Sequence, residues 1–280
     1  MLVLKWTGHL NHFKQLIGQT NHYLITILIG LEGVRTGEVT KGETFNVTWN
    51  PKSTEESVKR SRRFARNSAL SWTIDSLDCY LGFLKKSPFN FPKSFQTKFQ
   101  NDRSVYKNFR KITELINYPN DLSLAIVHIG IQWRNNLVHY NAKNFLDQEF
   151  ASFIRNVDNT EIKERFRGLD AQLMLKNFNE GKSPTFKEVA AIIQSTHYLV
   201  LEYDKQLREF IDIDSMVNKI LEKEKGLDKV IKAPVEKRNR KMKRFLISKG
   251  FEEVESTSSK ASLDDTKITE LIKNCAQNRL

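Results

Sequence analysis

An all-α fold is the prediction for this sequence, and three observations carry it. Apolar residues recur three and four positions apart through most of the chain, Pro and Gly fall at the ends of those periodic stretches, and only 44–49 alternates like a strand. With 39% hydrophobic residues, 28% charged residues and 18 Phe, the chain has enough apolar material for a real core, which excludes wholesale disorder.

From about 10 to 31 the positions Phe13, Leu16, Ile17, Leu24, Ile27 and Leu28 keep helical spacing, and Gly30 and Gly33 close the helix. Gly37, Gly42 and Asn50-Pro51 frame a loop insert with one short β element near 44–49. Ser53 or Thr54, followed by Glu55 and Glu56, starts a long helix to about Lys86 that carries Phe64, Leu70, Ile74, Leu77, Tyr80 and Leu84; Pro88 and Pro92 end it. Helices follow over about 102–117 and from Asp121 to about Asn144. Beyond Phe150 the pattern stays helical over 161–167, 171–178, about 185–210 and about 214–225. Past Pro234 a basic run, 236–244, leads into Phe245-Leu246-Ile247; 256–262 reads as a flexible connector and 267–276 as a last short helix. The expected organisation is a helical domain over 1–150 with an N-terminal helix and loop insert, a helical extension packing on it over 151–232, and a basic C-terminal segment over 233–280, with a small appendage as one option for the last.

A formal charge of +12 favours polyanionic partners, because clustered Lys and Arg release counterions on meeting phosphates; nucleic acid leads among them. Cys79 and Cys275 stand far apart with no Cys-x-x-Cys or Cys/His ligand spacing, so neither a disulfide framework nor a structural zinc site is expected, and a reducing cytoplasm is the simplest home. The first six residues lack a basic lead and the longest apolar run, 23–31, is broken by Thr26 and Gly30, so the expectation is no secretion signal and no membrane span. The Walker A, G-x-G-x-x-G, H-E-x-x-H and G-x-S-x-G patterns are missing, which leaves nucleotide hydrolysis, dehydrogenase, zinc-protease and serine-hydrolase chemistry without an anchor. His9, His12 and His22 lie near one another without Cys or carboxylate neighbours to complete a ligand set, so no metal and no cofactor are expected.

The helix from Asp121 has two apolar stripes. Leu122, Ile126, Ile129, Trp133, Leu137 and Tyr140 make one; Leu124, Val127, Ile131 and Val138 make the other. Such a helix is buried on both faces, against the domain's own core on one side and against more core or a second protomer on the other. Into this apolar setting come Arg134, Asn135 and His139, with Asn135 and His139 an i, i+4 pair on one side. A buried guanidinium requires an ion pair, a hydrogen-bonded network or a bound anion. The Arg-x4-His spacing alone is expected by composition about a third of a time in a chain like this, and requiring Asn directly after Arg lowers that to roughly a few per cent.

Arg134-Asn135-Asn136-Leu137-Val138-His139 resembles the R-N-x-x-V-H form of the Rx4-6H motif carried by the HEPN superfamily of α-helical ribonucleases and toxins. Glu55-x-x-x-Lys59-Arg60 is similar to the E-x3-K-R element in an earlier helix of some HEPN families, and the resemblance spans about 53–150. It implies a HEPN-like helical bundle that forms a homodimer, with two copies of the motif facing across a basic cleft where RNA is cut without metal. His139 would then be the acid/base residue, Arg134 would hold the scissile phosphate, Asn135 would orient the site, and Lys59, Arg60 and Arg63 would line the RNA path. Those residue types suit the chemistry: an imidazole titrating near 6.5 exchanges protons at neutral pH, and a guanidinium fork matches two phosphate oxygens. The implied products are 2′,3′-cyclic phosphate or 3′-phosphate and 5′-hydroxyl ends.

Many HEPN proteins are toxins or anti-phage effectors restrained by an antitoxin or regulatory partner, and this role too is implied by resemblance alone. The basic run adds Lys237, Arg238 and Arg240 as further RNA contacts. Without the resemblance, Arg134 and His139 are structural partners for a carboxylate, the basic stretches are solvated helix faces, and His128 is a core histidine. The chain is then a non-catalytic RNA-binding or regulatory helical subunit of a larger complex.

Overall fold

The computed structural model describes residues 1–42, 46, 48–139, 142–166, 168–223 and 228–277. After a short strand, β1 (Leu2–Leu4), come α1 (Gly8–Thr36), α2 (Thr54–Leu84), α3 (Lys93–Gln100), α4 (Val105–Leu115), α5 (Leu122–Val138) and α6 (Gln148–Asn156). Then follow α7 (Asn159–Arg165), α8 (Ala171–Asn179), α9 (Phe186–Leu207), α10 (Ile213–Lys223), α11 (Asp228–Ile231) and α12 (Val235–Ser248). Strands β2 (Phe251–Glu253) and β3 (Ser262–Leu263) and helix α13 (Asp265–Gln277) complete the order. The fold is all-α with a short β element, and its contacts divide it into two compact units assembled from non-contiguous stretches.

One unit consists of Met1–His12, Tyr80–Asn117 and Val200–Leu280. Its sheet has the order β2-β1-β3, antiparallel throughout, with Leu4 opposite Phe251 and Leu2 opposite Leu263. The period-two alternation of strands sends these four side chains to one face, and all four are buried. Helices α12 and α13 pack on each other and against β2 and β3 respectively. The turn before β2 needs glycine: Gly250 has φ +109, and a Cβ there would stand 2.4 Å from the Trp6 carbonyl oxygen. The β element expected near 44–49 lies partly outside the described residues, at 44, 45 and 47; among the described residues the strands are at 2–4, 251–253 and 262–263. Strands of two or three residues carry too little alternation to be read locally. The stretch read as a flexible connector enters the sheet as a hydrogen-bonded turn: Leu4 N–H donates to Ala261 O at 2.9 Å, and Ala261 N–H to Ser259 Oγ at 3.3 Å.

The start of α1 is held by a buried carboxylate. Thr7 N–H donates to Asp204 Oδ2 at 3.1 Å and Thr7 Oγ1 donates to Asp204 Oδ1 at 2.5 Å, while Thr7 Oγ1 caps the helix by accepting Leu10 N–H at 3.1 Å. Burial pushes the Asp204 carboxyl above its ordinary 3.8, and the bonds from Thr7 oppose the shift without cancelling it. Between 3.8 and the raised value the folded state holds more protons than the unfolded one, so this group's contribution falls as pH rises through that window. Asp204→Asn is expected to remove this falling limb, leaving a gap between wild-type and variant urea midpoints that shrinks from acid pH toward neutrality. A gap that widens with pH would overturn the assignment.

The other unit consists of Phe13–Cys79 and Tyr118–Leu199. Helix α5 starts at Asp121, whose Oδ1 accepts Leu124 N–H at 2.7 Å, and every residue from Leu122 to Trp133 is buried. Burial all round is what its two apolar stripes predict, but it stops at Trp133: Leu137 is half-buried and Val138, expected to be buried on the second stripe, is exposed because the helix ends there. Gly130 allows a close approach by α9, since a Cβ there would lie 2.8 Å from Ile192 Cγ2. His128 is buried with its ring stacked on Phe150 at 4.1 Å, a core placement. The helix ends at Val138 rather than near Asn144. Asn136 explains the early stop: its Oδ1 accepts Asn144 N–H at 2.7 Å and its Nδ2 donates to Asn144 O at 3.0 Å, folding the chain back.

Candidate active site

Arg134, Asn135 and His139 stand where α5 leaves the core. The side chains from Leu122 to Trp133 are buried, those from Arg134 to Leu137 are half-buried, and Val138 and His139 are exposed. Arg134 keeps 20% of its side chain exposed; its Nη2 donates to Asp75 Oδ1 on α2 and its Nη1 donates to Asn135 Oδ1 at 3.3 Å. Its Nε is buried with no hydrogen-bond partner among the described residues. His139 caps the helix in extended geometry, φ −98 and ψ 117, with its N–H donating to Asn135 O at 3.1 Å. Arg134 and Asn135 are therefore joined through their side chains, whereas His139 is tied to Asn135 through backbone alone, its imidazole facing solvent rather than continuing the i, i+4 face of the helix.

Asp75 is the residue that sequence reading missed. It is an exposed acid, 54% accessible, in a stretch where apolar residues alternate with Ser71, Thr73, Ser76 and a second acid, Asp78, and only the tertiary contact identifies its partner. Its exposure matters chemically, since an ion pair with one wet partner exchanges for a phosphate at modest cost. Two further unpaired polar atoms lie on α2: Arg66 Nε and Asn67 Oδ1 are buried with no hydrogen-bond partner among the described residues. Burial holds the Arg66 guanidinium below its ordinary value, with the neighbouring Arg62 and Arg63 charges lowering it further and Glu188 opposing them. In the same unit Arg62 is taken up by Glu32, whose carboxyl is held down to about 2 by Arg35 and Arg62.

The basic candidates differ in availability. Lys59, Arg60 and Arg63 are exposed on α2, in the unit that holds α5, with Lys59 3.6 Å from Glu56. Lys237 and Arg240 are exposed on α12 in the other unit, but Arg238 is half-buried and donates from Nε to Ala233 O at 2.9 Å, a structural bond. Lys243 is likewise occupied, by Asp265 at 2.7 Å and Glu253 at 3.4 Å. His9 and His12 pack on the Phe83 ring, at 4.6 and 5.7 Å between centroids. Among the described residues no group of three or more His, Cys, Asp or Glu could hold a metal, and no helix is long and apolar enough to cross a membrane.

A cavity of about 380 Å³ adjoins the last turn of α5, lined by Trp133, Asn136, Leu137, Asn144 and Phe178 among others. Arg134, Asn135 and His139 are not among its walls, so the polar cluster is separate from this cavity. Fold and cluster together define an all-α protein with an arginine, an amide and an exposed histidine at the solvent end of a buried helix. Beyond that class, the chain matches no protein-family model, no curated protein and no solved structure.

Proposed function

We propose that this chain is a metal-independent endoribonuclease acting in the cytoplasm, with Arg134, Asn135 and His139 as its site. The observation that carries the reading is the half-buried guanidinium of Arg134, bonded to Asn135 and to a wet carboxylate, five residues before an exposed imidazole. A phosphodiester displacing Asp75 would meet a charged fork in a partly desolvated setting, where such contacts are strongest. His139 would take the 2′-hydroxyl proton as the 2′-oxygen attacks phosphorus, and a second histidine would protonate the leaving 5′-oxygen, giving cyclic phosphate and 5′-hydroxyl ends. The R-N-x-x-V-H resemblance supports the same assignment, and Lys59, Arg60 and Arg63 supply cations for the flanking phosphates.

The second histidine would come from a second copy of the chain. An exposed stripe on α2 supports this: Phe64 and Trp72, 74% and 51% accessible, lie eight residues apart on the face that continues to Asp75. The expected result for Trp72→Glu is a monomer without cleavage activity, read by sedimentation beside a dimeric wild type. A wild type that stays monomeric at micromolar concentration would remove the composite site. A toxin or anti-phage effector role, with an antitoxin or regulatory partner, follows from the same resemblance.

The ion pair between Arg134 and Asp75 favours a second reading, in which the cluster is structural and the chain is a non-catalytic RNA-binding or regulatory subunit. Cleavage of cellular RNA in excess EDTA, with product ends mapped, separates the two. Cleavage that persists and leaves cyclic phosphate upholds the nuclease; RNA bound and released intact upholds the subunit.

A further inference from the structure

The unit without the α5 cluster holds a larger cavity, of about 500 Å³, within the range that encloses small organic ligands. Its walls are set by backbone as well as side chains. Asn90 N–H donates to Phe210 O at 2.7 Å, Asp212 N–H donates to Pro88 O at 2.9 Å, and Phe89 pairs with Ile211 in an isolated antiparallel bridge. These bonds tie the chain after α2 to the chain before α10, so the cavity is formed before any ligand arrives. Phe89, Ile211 and Met216 make a buried apolar lining, and the His9 ring lies on Phe83 at 4.6 Å and 15°.

Three lysines, Lys86, Lys219 and Lys249, complete the lining, and it contains no aspartate or glutamate. Lys86 Nζ sits 5.9 Å from the Phe83 ring centre, Lys219 Nζ donates to Ser87 O at 3.1 Å, and Lys249 Nζ lies 5.6 Å from the centre of the Phe245 ring on α12. Aromatic side chains beside three lysines, in a lining without carboxylates, are the two halves of a nucleotide site. We propose that this cavity binds a nucleotide, its base against the Phe83, His9 and Phe89 walls and its phosphate at Lys86, Lys219 and Lys249. The assignment is independent of the nuclease reading, since it uses none of its residues.

A phosphate next to a base is offered both by a free nucleotide and by the 5′ end of a nucleic-acid strand. Calorimetric titration of the full chain with AMP, adenosine, inorganic phosphate and a 5′-phosphorylated oligodeoxynucleotide tests the site and tells the two sources apart. The deoxy strand has no 2′-hydroxyl and so stays intact whatever the chain does to RNA. The expected result is saturable binding of AMP or of the phosphorylated end, about tenfold or more tighter than adenosine or phosphate alone, and weakened about tenfold or more in Lys86→Ala/Lys219→Ala. Lys86→Glu, at an exposed position, carries the same expectation should the double variant melt early. Adenosine binding as tightly as AMP, binding that survives the lysine changes, or no saturable binding at millimolar ligand would each overturn the proposal.

Discussion

His139→Ala is expected to lower RNA cleavage by about a hundred- to ten-thousandfold, the usual contribution of a positioned acid or base, and to leave the thermal melt nearly unmoved. The second half of that expectation comes from exposure: the imidazole stands in solvent beyond the last helical residue, so its removal empties no core. Arg134→Ala is expected to match the loss of cleavage, because the guanidinium would stabilise charge that develops only during attack. Its cost to stability is about 1 kcal/mol or less, since the Asp75 left behind is half in water and needs no partner. Asp75→Ala then provides the contrast: it frees Arg134 for phosphate and is expected to keep RNA bound at least as tightly. Cleavage rates, filter binding and melting curves on the three variants check these outcomes together. If Arg134→Ala and Asp75→Ala destabilise alike while cleavage is unaffected or never present, the ion pair is structural and the nuclease reading fails.

Trp133→Ala carries the largest expected loss of stability, about 3–5 kcal/mol. The indole is 1% exposed, meets Phe178 edge-on at 5.8 Å, and donates from Nε1 to Lys182 O at 2.8 Å. Truncation leaves a void beside an existing cavity and strips a carbonyl of its donor, and the loss corresponds to a fall of roughly 6–20 °C in melting temperature. Trp133→Phe keeps the ring contact and loses only the bond and part of the volume, so it is expected to fall between alanine and wild type. Calorimetry on both variants tests the ordering, and a fall in the alanine variant no larger than in the phenylalanine one would show that neither packing nor the bond to Lys182 anchors this turn.

Helix α5 shows how far local reading reaches. Its Asp121 cap and the all-round burial that its two apolar stripes demand hold from Leu122 to Trp133, whereas Val138, on the second stripe, stands exposed where the helix leaves the core. Its end was misjudged because the apolar period continues through Tyr140, while the force that stops the helix is a side chain, Asn136, bonding to backbone eight residues on. The same limit hid Asp75, which lies 59 residues from Arg134, and with it the finding that the guanidinium meets a carboxylate as well as an amide. Among the basic candidates, Arg238 reads like its neighbours in composition, yet its bond to Ala233 O removes it from the exposed set.

By itself the sequence determined the helical class, the net positive charge, and the arginine, amide and histidine placed together at one helix end. Tertiary structure alone decided that Leu2–Leu4 lies between β2 and β3, that each compact unit gathers distant stretches of chain, and that Asp75 holds Arg134. The physical reason is the range of the forces involved. Helix formation is written in neighbours three and four residues apart, so composition and spacing reveal it, whereas strand pairing and ion pairs join groups whose separation along the chain follows no local period.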